Sequence, residues 1–287
     1  MMYNSKDFYH FPCPAKLNLF LHIIGQRSDS YHELETVFQF LDYGDTLSIK
    51  ITEPNSLNLL TPVKQVHNED NLIIKAARLL QKFTDTTLGA EFKIIKKLPM
   101  GGGLGGGSSN AATVLLALNT LWETNLPIKT LAKIGLSLGA DVPIFIHGYS
   151  AFAQGIGEKL TPFYPKEYFY LVCKPNCSIS TEYIFNSAEL TRNTSRLNIN
   201  DINIEQCRND CQSLVIKHHT EVANLLAWLI EYAPSRMTGT GACIFSRFDS
   251  IEGANQVRLL LPDDVESFVA KGINNSPLHL ALKMLNK

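Results

Sequence analysis

The feature that most limits what this chain can become is the run Pro99-Met100-Gly101-Gly102-Gly103-Leu104-Gly105-Gly106-Gly107-Ser108-Ser109-Asn110, in which six of seven consecutive residues are glycine. Glycine reaches positive φ and carries no Cβ, so successive backbone N–H groups can converge on an anion. The apolar residues that follow, Ala111, Val114, Leu115, Leu118 and Trp122, recur at helical spacing. A helix N-terminus therefore points back at the loop, and the expected ligand is a nucleotide phosphate.

Two common phosphate motifs fit poorly. Laid on Gly101 to Gly106, the P-loop pattern puts Gly107 where its lysine should stand. The dinucleotide pattern G-x-G-x-x-G fits Gly101, Gly103 and Gly106, but any run so rich in glycine would match it. Pro99 also breaks the strand-to-loop join, and no acidic residue follows at the ~20-residue offset. A flexible linker is the bland alternative, and it is disfavoured by the strand-like segment Ala90 to Lys96 before the run and the helix after it.

Lys and Arg number 26 against 27 Asp and Glu, so no basic excess is present to hold a nucleic-acid backbone or an anionic membrane. No stretch approaches the ~20 apolar residues of a membrane span, and Met1 to Asp7 has no apolar leader, which makes the cytoplasm the expected compartment. With 287 residues, two domains are expected, divided near Pro162 to Pro165 into residues 1–162 and 163–287. The spacing of Cys173, Cys177, Cys207 and Cys211, with His218 and His219, is permissible for zinc but unspecific. Cys173 ends an apolar strand, which favours buried free thiols. Neither a monomer nor a homodimer is preferred.

Strands are expected at Ala15–Ile23, Thr36–Leu41, Thr46–Ile51, Ala90–Lys96, Ser150–Gln154, Tyr168–Cys173 and Ser267–Ile273. Period two places Lys16 and Asn18 on one face of the first strand, a face that reads equally well as a solvated edge. Helices are expected at Leu72–Phe83, capped by Asp70 or Asn71, and at Ile128–Leu138, Glu221–Tyr232, Ile251–Leu261 and from Pro277. Phe83 and Ile230 are expected on buried helix faces, and Asn55 to Asn68 is expected to be irregular. Asp141, just before Val142-Pro143, suits the N-cap of a helix, where a carboxylate stays ionised and can accept or orient a hydroxyl proton. The polar stretch Asn186 to Asp210 shows no assignable feature. The succession of elements indicates an α+β fold.

Three segments in this order, Pro14-Ala15-Lys16-Leu17-Asn18-Leu19, then Pro99 to Ala112, then Thr238-Gly239-Thr240-Gly241-Ala242, resemble the three motifs of the GHMP small-molecule kinases. Further matching segments are Tyr31-His32-Glu33-Leu34, Asp70-Asn71-Leu72-Ile73, Gly139-Ala140-Asp141-Val142-Pro143 and Phe268-Val269-Ala270-Lys271-Gly272. The resemblance implies a two-domain fold, with an N-terminal ATP domain like ribosomal protein S5 and a ferredoxin-like substrate domain. It is nearest to the branch that uses ATP and Mg²⁺ to phosphorylate the C2 hydroxyl of 4-diphosphocytidyl-2-C-methyl-D-erythritol, a step of non-mevalonate isoprenoid synthesis.

On that resemblance Lys16 and Asp141 are catalytic. Lys97, Pro99, Met100, Gly101, Gly102, Gly103, Leu104, Gly105, Gly106, Gly107, Ser108 and Ser109 hold the ATP phosphates, while Asn71 and Leu72 border the adenine. Tyr31, His32 and Phe185 embrace the cytosine with Asn18 nearby, and Ser109 is the one protein oxygen suggested for Mg²⁺. Phe185 read without the resemblance is a core residue of the run Tyr183-Ile184-Phe185. A kinase for another alcohol, such as mevalonate, homoserine or galactose, and a nucleotide-binding regulator without turnover are the competing functions.

Overall fold

A computed structural model describes residues 7–52, 55–63 and 66–285. The start of the chain read above for a leader, residues 1–6, lies outside them, as do residues 64 and 65 of the segment expected to be irregular. The elements run β1 (Tyr9–Gln26), β2 (His32–Thr52), β3 (Leu57–Leu59), α1 (Leu72–Thr84), β4 (Gly89–Ile95), α2 (Gly106–Leu121), α3 (Ile128–Leu136), α4 (Val142–His147), β5 (Ala151–Gln154) and β6 (Lys159–Pro162). They continue with β7 (Phe169–Lys174), α5 (Thr181–Asn186), α6 (Gln212–His218), α7 (Thr220–Ile230), β8 (Ser235–Met237), β9 (Ile244–Phe248), α8 (Ile251–Arg258), β10 (Glu266–Ile273) and α9 (Pro277–Leu285).

The second half follows β-α-β-β-α-β order, and its strands pair antiparallel as β10-β7-β9-β8, which is the ferredoxin-like arrangement. In the first half β2 is the hub, pairing antiparallel with β1, β4 and β5, while β3 joins β4 in parallel. The halves are stitched together by β10, whose Gly272 and Ile273 pair with Leu41 and Phe40 of β2. One sheet thus runs through the molecule.

Several elements depart from the periodic reading. The two strands expected at 36–41 and 46–51 are one strand, because Asp42 to Gly44 does not turn the chain. Gly44 pairs with Pro14, and a Cβ there would meet the Cys13 carbonyl oxygen at 2.1 Å, so this glycine serves a close strand approach. The segment expected to be irregular contributes the short strand β3. Phe83 and Ile230 are exposed, since both stand at the solvent end of a helix whose core contact is complete without them.

α2 is buried along most of its length, with Ala111, Val114, Leu115 and Leu118 joined inside by Ala112, Leu116 and Ala117. α1 starts where Asn71 accepts a hydrogen bond from the Ile73 N–H at 3.0 Å, and Asp70 takes no part in that cap. α9 returns to the first half and places Leu278 and Leu282 in the core beneath β1 and α2. Five of the cysteines are buried and all six are free. Burial pushes the Cys173 and Cys211 thiols up to about 12. Among the described residues no three His, Cys, Asp or Glu side chains gather as a ligand set, and no helix is long and apolar enough to cross a membrane.

The stretch from Asn186 to Asp210 is a strap held by two buried carboxylates. Asp210 accepts from the Ile23 N–H of β1 at 2.8 Å and from the Thr194 hydroxyl at 2.6 Å. Glu35 of β2 accepts from the Leu197 N–H at 2.8 Å and from Gln154 at 3.0 Å. Leu197, Ile199, Ile202 and Ile204 then pack against the core between the halves.

Four histidines, His22, His32, His147 and His279, lie below the ordinary imidazole pKa of 6.5, in each case chiefly because burial disfavours the charged ring. The unfolded chain takes up protons at these sites from pH 6.5 downward while the folded chain resists. Stability from them is therefore complete above 6.5 and lost as pH falls through the lower folded values. The melting temperature should hold between pH 8 and 7 and fall between 6.5 and 5.5. A flat profile across that window would mean the rings titrate as freely folded as unfolded.

Candidate active site

The three glycine-bearing or lysine-bearing segments converge because only glycine lets their backbones approach. A Cβ on Gly103 would sit 2.5 Å from the Thr238 carbonyl oxygen, and one on Gly102 would sit 2.4 Å from the Cys243 sulfur. Gly239 lies against Gly103 and the Asn18 side chain from the other side. Backbone hydrogen bonds complete the junction, from Lys16 N–H to the Leu104 carbonyl at 3.0 Å and from Cys243 N–H to the Gly102 carbonyl at 3.3 Å. Gly101, Gly103 and Gly105 all take positive φ, and α2 begins at Gly106, inside the run. Its free N–H groups and dipole therefore point into the loop.

The upstream end of the loop is fixed by a residue that sequence reasoning passed over. Asp45 of β2 is buried and accepts from Lys97 N–H at 2.8 Å and Leu98 N–H at 2.9 Å, with the Lys96 ammonium paired to its other oxygen. A lone Asp in a strand carries no pattern that could have announced this.

Lys16 and Asn18 do share a face, but it is not solvated. Lys16 is 2% exposed. Its ammonium has three N–H groups and three acceptors, the Asn18 Oδ1 at 2.6 Å, the Gly103 carbonyl at 3.0 Å and the Asp141 Oδ2 at 3.2 Å. The Phe38 ring lies beneath it at 5.2 Å. A buried cation persists only when paired in this way. The Asn18 amide is engaged on both ends, since its Nδ2 donates to Thr36 Oγ1 at 3.0 Å. Asn18 thus holds Lys16 as well as facing the cavity.

Asp141 stands at the N-cap of α4, as expected, yet its side chain makes no capping hydrogen bond. The carboxylate turns to Lys16 through Oδ2 and leaves Oδ1 to the cavity. A residue that would be an ordinary cap is thereby free for chemistry.

These groups open on one cavity of about 520 Å³, a usual size for a small ligand. Lys16, Asn18, Tyr31, His32, Gly101, Gly103, Ser108, Asp141 and Phe185 line it. Asn71, Leu72, Lys97, Pro99, Met100, Gly102, Leu104, Gly105, Gly106, Gly107 and Ser109 are not on that wall. Leu72 nonetheless abuts the loop, its Cδ1 lying 3.2 Å from where a Cβ on Gly107 would stand, so the start of α1 borders the far side of the glycine run. Ser109 is fully buried with no partner for its hydroxyl. Ser108 faces the cavity and approaches the Gly139 segment.

At the other end His32 is buried and stacked on Phe185, with ring centroids 5.0 Å apart and planes 26° from parallel. Phe185 is half-buried and borders both the core and the cavity, and Tyr31 is exposed. Thr181, which carried no sequence signal, and Thr240 of the third motif also stand on the wall, their hydroxyls 2.9 Å apart.

Comparison with known proteins bears on the same segments. Residues 71–149 match the GHMP kinases N terminal domain, and residues 188–262 match the family GHMP kinases C terminal. The chain is 58% identical over 284 residues to the 4-diphosphocytidyl-2-C-methyl-D-erythritol kinase of Colwellia psychrerythraea, covering 96% of this chain and 95% of that one. It is 52% identical over 285 residues to the protein of the same name from Mannheimia succiniciproducens, covering 99% and 94%. Among solved structures it is similar to a crystal structure of 4-(cytidine 5'-diphospho)-2C-methyl-D-erythritol kinase, with a TM-score of 0.82, 26% identity and coverage of 92% and 99%.

Proposed function

The chain belongs to the 4-diphosphocytidyl-2-C-methyl-D-erythritol kinases, a branch of the GHMP kinases, and from that membership we propose that the cavity between Lys16 and Phe185 is its active site. The enzyme transfers a phosphoryl group from ATP to the C2 hydroxyl of 4-diphosphocytidyl-2-C-methyl-D-erythritol, giving the 2-phosphate and ADP, in the non-mevalonate route to isoprenoid precursors. The observation that carries the site assignment is that one cavity joins a glycine cradle and a Lys–Asp pair at one end to a histidine and aromatic group at the other. An ATP phosphate chain and a flat base need those two ends.

Phosphoryl transfer is mostly positioning and charge stabilisation. The loop amides of Gly101 to Gly106 and the α2 N-terminus receive the phosphates, and Asn71 and Leu72 border the adenine. Asp141 Oδ1 hydrogen-bonds the C2 hydroxyl and aims its oxygen at the γ-phosphorus, with the proton passing toward the carboxylate. Lys16 holds Asp141 in that orientation and faces the charge that develops on the transferring group. Hard oxygen donors suit Mg²⁺, and at the cradle end of the wall the Ser108 hydroxyl would be the one to hold it, whereas Ser109 is enclosed. Mg²⁺ bound to ATP supplies neutralisation of phosphate charge. Tyr31 and Phe185 flank the cytosine and His32 reads its edge. We divide the chain into an ATP half, residues 1–162, and a substrate half, 163–287, a division supported by the cradle lying in one and Phe185 in the other.

ADP release from Mg²⁺-ATP should depend on the cytidyl substrate and be at least a hundredfold slower with mevalonate, homoserine or galactose. Comparable turnover of any of those alcohols would sink the base-binding assignment of Tyr31, His32 and Phe185.

A further inference from the structure

Base recognition by His32 rests on the functional reading above, and one contact to that ring has no role in it. Arg192 lies in the strap, where its Nη2 donates to the carbonyls of Phe185 and Ser187, each at 2.8 Å, and its Nη1 donates to the Leu190 carbonyl at 3.2 Å. Three backbone oxygens therefore fix the guanidinium plane. Of the two donors left, Nε–H meets the Nε2 of His32 at 2.9 Å.

A guanidinium can only donate. Nε2 must then present its lone pair, and the single proton of the neutral ring resides on Nδ1. His32 is 5% exposed and stacked on Phe185, and turning the ring over in its plane would break the Arg192 contact. Among the described residues Nδ1 has no hydrogen-bond partner, and His32 lines the cavity.

The charges around the ring do not favour a second proton. Burial and the Arg192 charge both lower the His32 pKa. On β2 Glu33 is paired with Arg27 and Arg196, while Glu35 is held by Gln154, Arg196 and the Leu197 N–H. Asp29, on the preceding loop and also at the cavity, is paired with Arg27.

We propose that Arg192 is a positioning residue that sets base specificity, holding His32 as an Nδ1–H donor toward the nucleobase. Cytosine offers only acceptors at O2 and N3, whereas uracil carries a proton on N3. A fixed donor accepts the first edge and meets a second donor on the other, and a site built for one hydrogen-bonding pattern rejects an analogue that leaves a buried polar group unpaired. Arg192 acts without touching the substrate.

The test uses the full-length enzyme. Nitrogen-15 spectra of the wild-type histidines, with His32 assigned through His32→Gln, should show a pyrrole-type Nδ1 and a pyridine-type Nε2 for His32 from pH 6.5 to 8.5. A protonated Nε2 would overturn the proposal with no variant needed. In kinetics, Arg192→Met should raise KM for the cytidyl substrate at least tenfold while kcat falls less than threefold. It should also narrow the preference over the uridine-diphosphate counterpart at least tenfold and bring a pH dependence of kcat/KM into the range 6 to 7. Arg192→Lys, which still donates, should recover part of the preference. An unchanged cytidine-to-uridine ratio in a folded Arg192→Met protein would overturn the proposal. Lack of wild-type turnover on the cytidyl substrate would instead overturn the functional reading, leaving the His32 tautomer to be judged by its spectrum alone.

Discussion

Asp141→Asn should lower kcat by a factor on the order of 10³ while ATP binds within threefold of its wild-type affinity, because a positioned proton acceptor contributes ~10²–10⁴ in rate. The substitution keeps the size of the side chain. It cannot cost a helix cap, since Asp141 makes no capping hydrogen bond. It does remove the charge that faces Lys16 at 3.2 Å, and Lys16 keeps the Asn18 and Gly103 acceptors. ATP affinity, read by isothermal calorimetry, and ADP release, read by a coupled assay, should therefore part company. Retention of more than a tenth of the wild-type kcat would remove Asp141 from the reacting hydroxyl. An equal loss of ATP affinity would place its role in nucleotide binding.

Gly103→Ala should be the most damaging single methyl in the glycine run. Gly103 has φ +74°, where an L-residue costs ~1–2 kcal/mol, and the new Cβ would lie 2.5 Å from the Thr238 carbonyl oxygen and 3.3 Å from that of Gly241. Relieving the clash moves one backbone segment off another and adds ~1–3 kcal/mol of overpacking. The expected loss is about 2–5 kcal/mol from those two sources, measured by urea unfolding. KM for ATP should rise at least tenfold, because the Gly103 carbonyl that anchors Lys16 moves with the loop. Gly101→Ala is the internal comparison. Its φ is +66° but its Cβ would meet nothing nearer than the Ser178 hydroxyl at 4.0 Å, so it should lose only ~1–2 kcal/mol. Equal effects from the two would show that backbone strain, not contact with the Thr238 turn, is what Gly103 avoids.

The glycine run was legible because its composition violates what any ordinary helix or strand tolerates, and the helix behind it was legible from its period. Asn71 as a cap and the strands at 15–23 and 168–173 could be read for similar local reasons. Lys16 and Asp141 were each readable only as candidates. Their pairing depends on β1 and α4 meeting across the cradle, which no local pattern encodes. The errors have a common cause in contacts supplied from elsewhere. The strands expected at 36–41 and 46–51 were read apart because a glycine demanded by the Cys13 backbone, such as Gly44, is indistinguishable in sequence from one demanded by positive φ. The face bearing Lys16 looked half solvated because its cover, the turn at Thr238, lies at the other end of the chain. The strap from Asn186 to Asp210 was opaque because its order comes from Glu35, Asp210 and Arg192 acting singly, and single polar anchors have no period.

The return of α9 to the first half has a consequence for biosynthesis. Leu278 and Leu282 complete a core whose other walls, β1, β2 and α2, leave the ribosome long before them. Until β10 has paired with β2 and α9 has docked, a nascent chain carries an unfinished apolar surface. Domains usually fold in the order they are made, but here the earlier half must wait for the later one. A chain stalled or cleaved anywhere before Pro277 would leave that surface open to chaperones and proteases.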